Sequence, residues 1–220
     1  RTDANAPKHE GISFVLFDMT STGVNTKPIQ LISGESPFCE TFFDDVRIPR
    51  TNLVGKENQG WSIAKKLLQH ERNMVAGMGT RGKTKNPANK IENQAKQYVG
   101  EIDGKIASAS LRESIARHHM DSTAFASTLR RSAEEAKTTS APSPASSMFK
   151  YYGTEQNKKR FEILLKIMGS QGLGWEGDSF DGRELSINRE WLRSKANSIE
   201  GGTSEVQLNI IAKRVLGLPD

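Results

Sequence analysis

Two stretches of this sequence gather residue types that can do chemistry. The first is Gln69-His70-Glu71-Arg72. On a helix Glu71 falls on the stripe of Leu67, Leu68 and Val75, at i+3 and i+4 spacings. A carboxylate on a buried stripe costs several kcal/mol unless it is paired or protonated, and burial raises its pKa. That tuning suits a general base for a weakly acidic C–H. The same residue also reads as a helix-border Glu paired with a Lys or Arg. Arg72 beside it points partly away from the stripe. The second stretch is Ser198 to Leu218. Gly201-Gly202 predicts a turn in which backbone can approach a ligand closely, because neither residue has a Cβ. Thr203 is a good N-cap, Glu205 lies in the first helical turn, and Gln207 follows. Apolar residues then recur near helical spacing at Val206, Ile210, Ile211 and Leu216. Such a helix start offers backbone N–H groups to a phosphate or a polarised carbonyl. The alternative is a capped core helix.

Metal chemistry is not expected. His118 and His119 lack a second ligand pair at a useful spacing and read as surface or core histidines. The single cysteine, Cys39, excludes an intrachain disulfide framework and fits a reducing, cytoplasmic setting. The net charge of +5 is spread, with Glu and Asp among the Lys and Arg and no basic stripe with interleaved aromatics, which argues against nucleic acid. A modest positive field suits a substrate carrying several phosphates. No run approaches the ~20 apolar residues of a membrane span, and the N-terminus shows no signal-peptide pattern.

These residues must be positioned by the elements around them. Strands are expected over 12–19, 24–32 and 37–46, and three such strands alone would expose an apolar face and two edges. Helices are expected over 61–77, 91–99, 111–137, 146–167 and 183–196, with a basic loop at 81–87 and a Pro/Ser loop at 138–144. Gly169 to Gly177, with Gly172 within it, stops the fourth of these helices and reads as a C-cap followed by a Gly-rich loop.

The closing run Gly201-Gly202-Thr203-Ser204-Glu205-Val206-Gln207, leading into Asn209-Ile210-Ile211-Ala212 and Arg214-Val215-Leu216-Gly217-Leu218-Pro219, closely resembles the C-terminal signature of the acyl-CoA dehydrogenase flavoproteins. Phe42-Phe43-Asp44-Asp45-Val46-Arg47-Ile48-Pro49, Asn52-Leu53-Val54-Gly55, Gln59-Gly60-Trp61 and the stretch Leu164 to Gly177 resemble further family segments in the family's order. The likeness is weakest between Gly79 and Ser140. It implies a mainly α fold, an up-and-down helical bundle at 53–220 preceded at 1–52 by a remnant of an antiparallel β domain. The chain then looks like a fragment that opens inside the middle domain.

The resemblance also implies a reaction, FAD-dependent α,β-dehydrogenation of an acyl-CoA thioester with electrons passed to an electron-transfer flavoprotein. Many members carry the base directly before the Gly-Thr of the signature. Here Gly201 fills that slot, and Glu200 stands one residue too early. Other members use a Glu before an Arg on the first helix of the bundle, which Glu71-Arg72 matches. Glu71 is therefore the expected base, with Glu200 as second choice and Arg72 toward the substrate. Gly201, Gly202, Thr203, Glu205 and Gln207 are expected near the flavin. Gly169 and Gly172 occupy the family's turn for the flavin's adenine end, often that of a neighbouring subunit. The family's Arg-x-x-Phe-Gly motif is missing, and Tyr98-Val99-Gly100 keeps only an echo of it. This favours a divergent bacterial branch, some of whose members work as two unlike subunits. A homo- or hetero-oligomer, dimer or tetramer, is expected. The alternatives are a non-catalytic subunit of a hetero-oligomer and an oxygen-using acyl-CoA oxidase or nitroalkane-oxidase relative.

Overall fold

The computed structural model describes residues 1–76, 90–135, 137 and 145–219. The chain divides into two compact units, Arg1–Glu71 and Arg72–Asp220. In the first, β1 (Phe14–Val15) pairs antiparallel with β4 (Leu53–Val54), while β2 (Val24–Ile29) and β3 (Phe38–Phe43) form a separate hairpin with Val24 opposite Phe43 and Ile29 opposite Phe38. The three expected strands therefore do not form one sheet. Residues 12–19 pair with β4 over only two positions, because β4 is held short between the 3-10 turn Arg50–Asn52 and Gly55 at φ 76°, and Ile12 adds one isolated parallel bridge to Gln59. Phe38, Phe42 and Phe43 are exposed. Helix α1 (Gly60–Ala76) closes this unit, and the division falls within it.

The second unit contains α2 (Ile91–Val99), a hairpin of β5 (Glu101–Ile102) and β6 (Lys105–Ile106), α3 (Ala109–Glu135), α4 (Ala145–Met168), α5 (Gly182–Ser194) and α6 (Ser204–Ile210). A π-helical turn, Ile211–Val215, continues α6. The β5–β6 hairpin was not anticipated. Its turn is Asp103-Gly104, with φ values of 51° and 73°, the two-residue combination whose twist matches paired strands. The expected basic loop at 81–87 and the loop at 138–144 lie outside the described residues, as do the side chains of Arg72 and Val75.

Helix α4 is the hub, packed against α2, α3, α5 and α6. Its two halves bury different chemistry. The C-terminal half contributes Phe161, Ile163, Leu164, Ile167 and Met168 to an apolar core with Ile91, Ala95, Ile115 and Ile187. The N-terminal half buries Ser147, Lys150, Thr154 and Gln156. On α3 the buried positions are Ile115, His118 and Phe125. His119 instead reaches Glu92 at 2.5 Å. Ala126 and Leu129 are half-buried and Ala133 is exposed, while Phe125 turns inward against Phe149.

Helix α5 starts with a capping box. Asp181 accepts from the backbone N–H groups of Arg183 and Glu184, and Glu184 returns a bond to the Asp181 N–H. The buried Glu184 carboxylate also accepts from the Tyr98 hydroxyl at 2.8 Å, tying α2 to α5. Burial, then that bond and the charge of Glu184, push the Tyr98 hydroxyl up to about 12 from its ordinary value of 10.0. The neutral hydroxyl is the form the fold favours. Its contribution is complete below the unfolded value and is lost as pH rises through the folded one. The unfolding midpoint in urea should therefore fall between pH 10 and about 12 more steeply for the native chain than for Tyr98→Phe. Equal slopes would remove this link.

Candidate functional site

The site is built on the N-terminal half of α4 and on the segment from α5 to α6. A 3-10 turn, Lys195–Ser198, carries the chain out of α5 toward Gly201-Gly202. It is pinned to α4 by polar contacts. The Asn157 amide donates to Asn197 Oδ1 at 2.9 Å, and Lys158 Nζ donates to Ser198 Oγ at 3.2 Å. Asn197 in turn donates to Glu200 Oε1 at 2.5 Å, and Arg193 donates to Glu200 Oε2 at 2.8 Å. Both oxygens of Glu200 are thus engaged in holding the segment, which leaves this carboxylate poorly placed to serve as a base.

Gly201 and Gly202 adopt φ values of 67° and 93°, in the left-handed region that glycine accepts without steric cost. Each carbonyl of this pair is held from within the fold. Lys150 Nζ donates to the Gly202 oxygen at 2.6 Å, and Gln207 Nε2 donates to the Gly201 oxygen at 3.0 Å. Lys150 and Gln207 are fully buried. Burial, opposed by the nearby charges of Glu200 and Glu155, pulls the Lys150 ammonium below the usual lysine range. Thr203 caps α6, its Oγ1 accepting from the Val206 N–H at 3.3 Å. Glu205 bonds its own backbone N–H and accepts from the Thr203 hydroxyl, and these two bonds hold its carboxyl below the ordinary range. Glu200, Gly201, Gly202, Thr203, Glu205 and Gln207 therefore form one connected cluster on α4. Lys150, Arg193, Asn157 and Asn197 complete it. Sequence reasoning missed these four, and no local spacing signals them.

Gly169 and Gly172 stand at the other end of α4, separated from Lys150 by about 28 Å of helix. Gly169 has φ 57° and open space where a Cβ would stand, whereas a Cβ on the buried Gly172 would meet the Leu165 oxygen at 3.1 Å. Beyond them the Arg189 guanidinium lies over the Trp175 ring, 4.3 Å from its centroid, and Asn188 donates to the Gly174 oxygen at 2.6 Å. This turn and the Gly201-Gly202 turn are two separate places, not one pocket.

Glu71 is half-buried at the end of the first unit. The stripe it shares is not covered as its spacing suggested. Leu67 is 57% and Leu68 43% exposed, so no apolar surface among the described residues encloses them. Glu71 belongs to one unit and the Gly201-Gly202 cluster to the other.

The buried Gln207 Oε1 has no hydrogen-bond partner among the described residues, and a Cβ on Gly202 would come within 2.5 Å of Gln207 Nε2. The turn thus has its carbonyls consumed, an acceptor to spare and no room for a side chain. This suits a group that presents acceptors and donors side by side, as a flavin with its ribityl chain does.

The mainly helical unit, with a Gly-Gly-Thr turn seated on its central helix, has the fold of an acyl-CoA dehydrogenase C-terminal domain. This chain belongs to the acyl-CoA dehydrogenase family: residues 58–216 match the family model described as "Acyl-CoA dehydrogenase, C-terminal domain". Acyl-CoA dehydrogenase FadE34 of Mycobacterium tuberculosis is 32% identical over 219 residues, which cover 100% of this chain and 28% of that protein. A solved structure described as the Tcur3481-Tcur3483 steroid ACAD shares 26% identity with a TM-score of 0.80, over 100% of this chain and 55% of that one. The ChsE4-ChsE5 complex from Mycobacterium tuberculosis shares 27% identity with a TM-score of 0.73, over 98% of this chain and 55% of that one. The chain therefore spans about half or less of the length of these relatives.

Proposed function

We propose that the protein carrying this chain catalyses α,β-dehydrogenation of an acyl-CoA thioester with FAD. The reading rests above all on the cluster at Gly201-Gly202, whose carbonyls are held inward by Lys150 and Gln207. In it Gly201, Gly202, Thr203, Glu205 and Gln207 hold the flavin, and Gly169 and Gly172 contribute to the adenine end of a neighbouring subunit's flavin. Glu71 removes the α-proton, and Arg72 beside it serves the substrate. The flavin, when bound, supplies the acceptor for the β-hydrogen that leaves as hydride. An electron-transfer flavoprotein then receives the electrons. The middle-domain remnant extends to residue 52 and the bundle begins at 53. The working setting is the cytoplasm, and the assembly is a dimer or tetramer.

The test is the visible spectrum of the full-length protein under anaerobic conditions, before and after addition of acyl-CoA esters. The solved neighbour named as a steroid ACAD makes a ring-bearing acyl-CoA the first ester to try. A flavin band that bleaches with one ester is the expected result. A flavin that no ester bleaches would overturn the proposal. A second reading, a subunit that completes the site of an unlike partner, is favoured by the similarity to the ChsE4-ChsE5 complex. Co-purification of an unlike subunit, with activity insensitive to Glu71→Gln, would select it.

A further inference from the structure

Lys150 is a fully buried ammonium whose hydrogen bond goes to a backbone carbonyl of the signature turn. No carboxylate lies within ion-pairing distance of it among the described residues, although the fields of Glu200, Glu155 and Glu205 reach it. Burying a charge in this way costs stability, and an apolar side chain of similar volume is often the more stable choice. Packing alone therefore does not account for a lysine at this position.

Peptide geometry indicates the task. In a trans peptide unit the C=O of one residue and the N–H of the next point in opposite directions. The Gly202 oxygen is fixed toward Lys150, so the Thr203 N–H faces away from α4. The Gly201 oxygen is fixed toward Gln207, so the Gly202 N–H faces away from that side chain. Neither N–H has a protein acceptor among the described residues. The buried, unpartnered Gln207 Oε1 stands at the same turn. A cation bonded to a carbonyl also polarises its peptide unit, which strengthens the N–H at the far end as a donor.

We infer that Lys150 is a positioning residue of the cofactor site, orienting and polarising the Gly202–Thr203 peptide so that its N–H donates to an oxygen of the bound flavin. This rests on the flavoprotein reading above. Gln207 does the corresponding work on the Gly201–Gly202 peptide without a charge. Lys150 touches neither substrate nor reacting atoms.

The experiment uses the full-length holoenzyme with Lys150→Met, which removes donor and charge at similar volume, and Lys150→Gln, which keeps a donor without the charge. The readouts are FAD affinity of the reconstituted apoprotein, the flavin absorption maximum and midpoint potential, and the melting temperature of the apoprotein. Lys150→Met is expected to weaken FAD binding about tenfold or more and shift the flavin spectrum, with an apoprotein melting temperature equal to or above that of the native protein. Lys150→Gln is expected to recover part of the affinity and little of the potential. Native affinity and spectrum in Lys150→Met would overturn the inference, as would a loss of melting temperature with unaltered flavin properties in the folded fraction. If Lys150→Met does not fold, Lys150→Gln decides alone, and a native midpoint potential in it overturns the polarising role. Absence of flavin from the native holoenzyme would instead remove the functional reading on which the inference stands.

Discussion

Glu71→Gln in the full-length protein should abolish bleaching of the flavin by acyl-CoA while the flavin stays bound. The amide keeps the size of the side chain and loses the ability to take a proton. A positioned general base contributes on the order of 10²–10⁴ in rate, so anaerobic reduction followed in a stopped-flow spectrometer should slow by about that factor. The rival carboxylate is disposed differently. Glu200 is clasped by Arg193 and Asn197, so Glu200→Gln should disturb the turn and flavin affinity more than the rate of reduction. Reduction at the native rate in Glu71→Gln would end the assignment.

Gly202→Ala should empty the site of flavin with little change elsewhere in the bundle. Two independent penalties act at this one position. At φ 93° an L side chain is strained, at a cost on the order of 1–3 kcal/mol. The new Cβ would also fall 2.5 Å from Gln207 Nε2, and that side chain is fully buried, so it cannot move aside without giving up its bond to the Gly201 oxygen. FAD affinity is expected to fall by a hundredfold or more, about 2.7 kcal/mol. Gly104→Ala is the matched control, since this residue lies in the β5–β6 turn outside the cofactor cluster, its left-handed backbone at φ 73° meets open space, and only the conformational term of about 1–2 kcal/mol applies. Equal FAD loss in the two variants would show that steric crowding at Gly202 is not what matters.

Elements set by local chemistry were legible in the sequence. Helix α2 runs over 91–99 as expected, and α3, α4 and α5 begin and end within two residues of expectation. The Thr203 cap is a property of a few adjacent residues and was visible for that reason. Strand pairing was less accessible. Nothing within 12–19 tells that its partner is Leu53–Val54 and not the neighbouring hairpin, because pairing is decided across the unit. The Asp103-Gly104 turn carried a readable signal, but its strands of two residues each are too short to show alternation. At the site, the residues of the turn were recognisable and their supports were not. Lys150 sits 52 residues before Gly202, and Asn157 sits 40 before Asn197. A lysine in a polar helical stretch reads as a solvated face until the fold closes over it. The stripe at Leu67 and Leu68 shows the converse, since apolar spacing marks a face able to be buried and says nothing about what covers it.

The central place of α4 has a consequence for how the unit opens. Because α4 packs against α2, α3, α5 and α6 together, its central amides are expected to exchange with solvent mainly when much of the second unit opens. The signature turn is fastened to this most protected helix and not to a peripheral loop. Its geometry is therefore coupled to the stability of the bundle, and any condition that loosens the core, such as heat or denaturant, is expected to release the turn in the same cooperative event. A flavin bound there would report global unfolding, and by binding only the folded state it would raise the unfolding free energy of the entire unit.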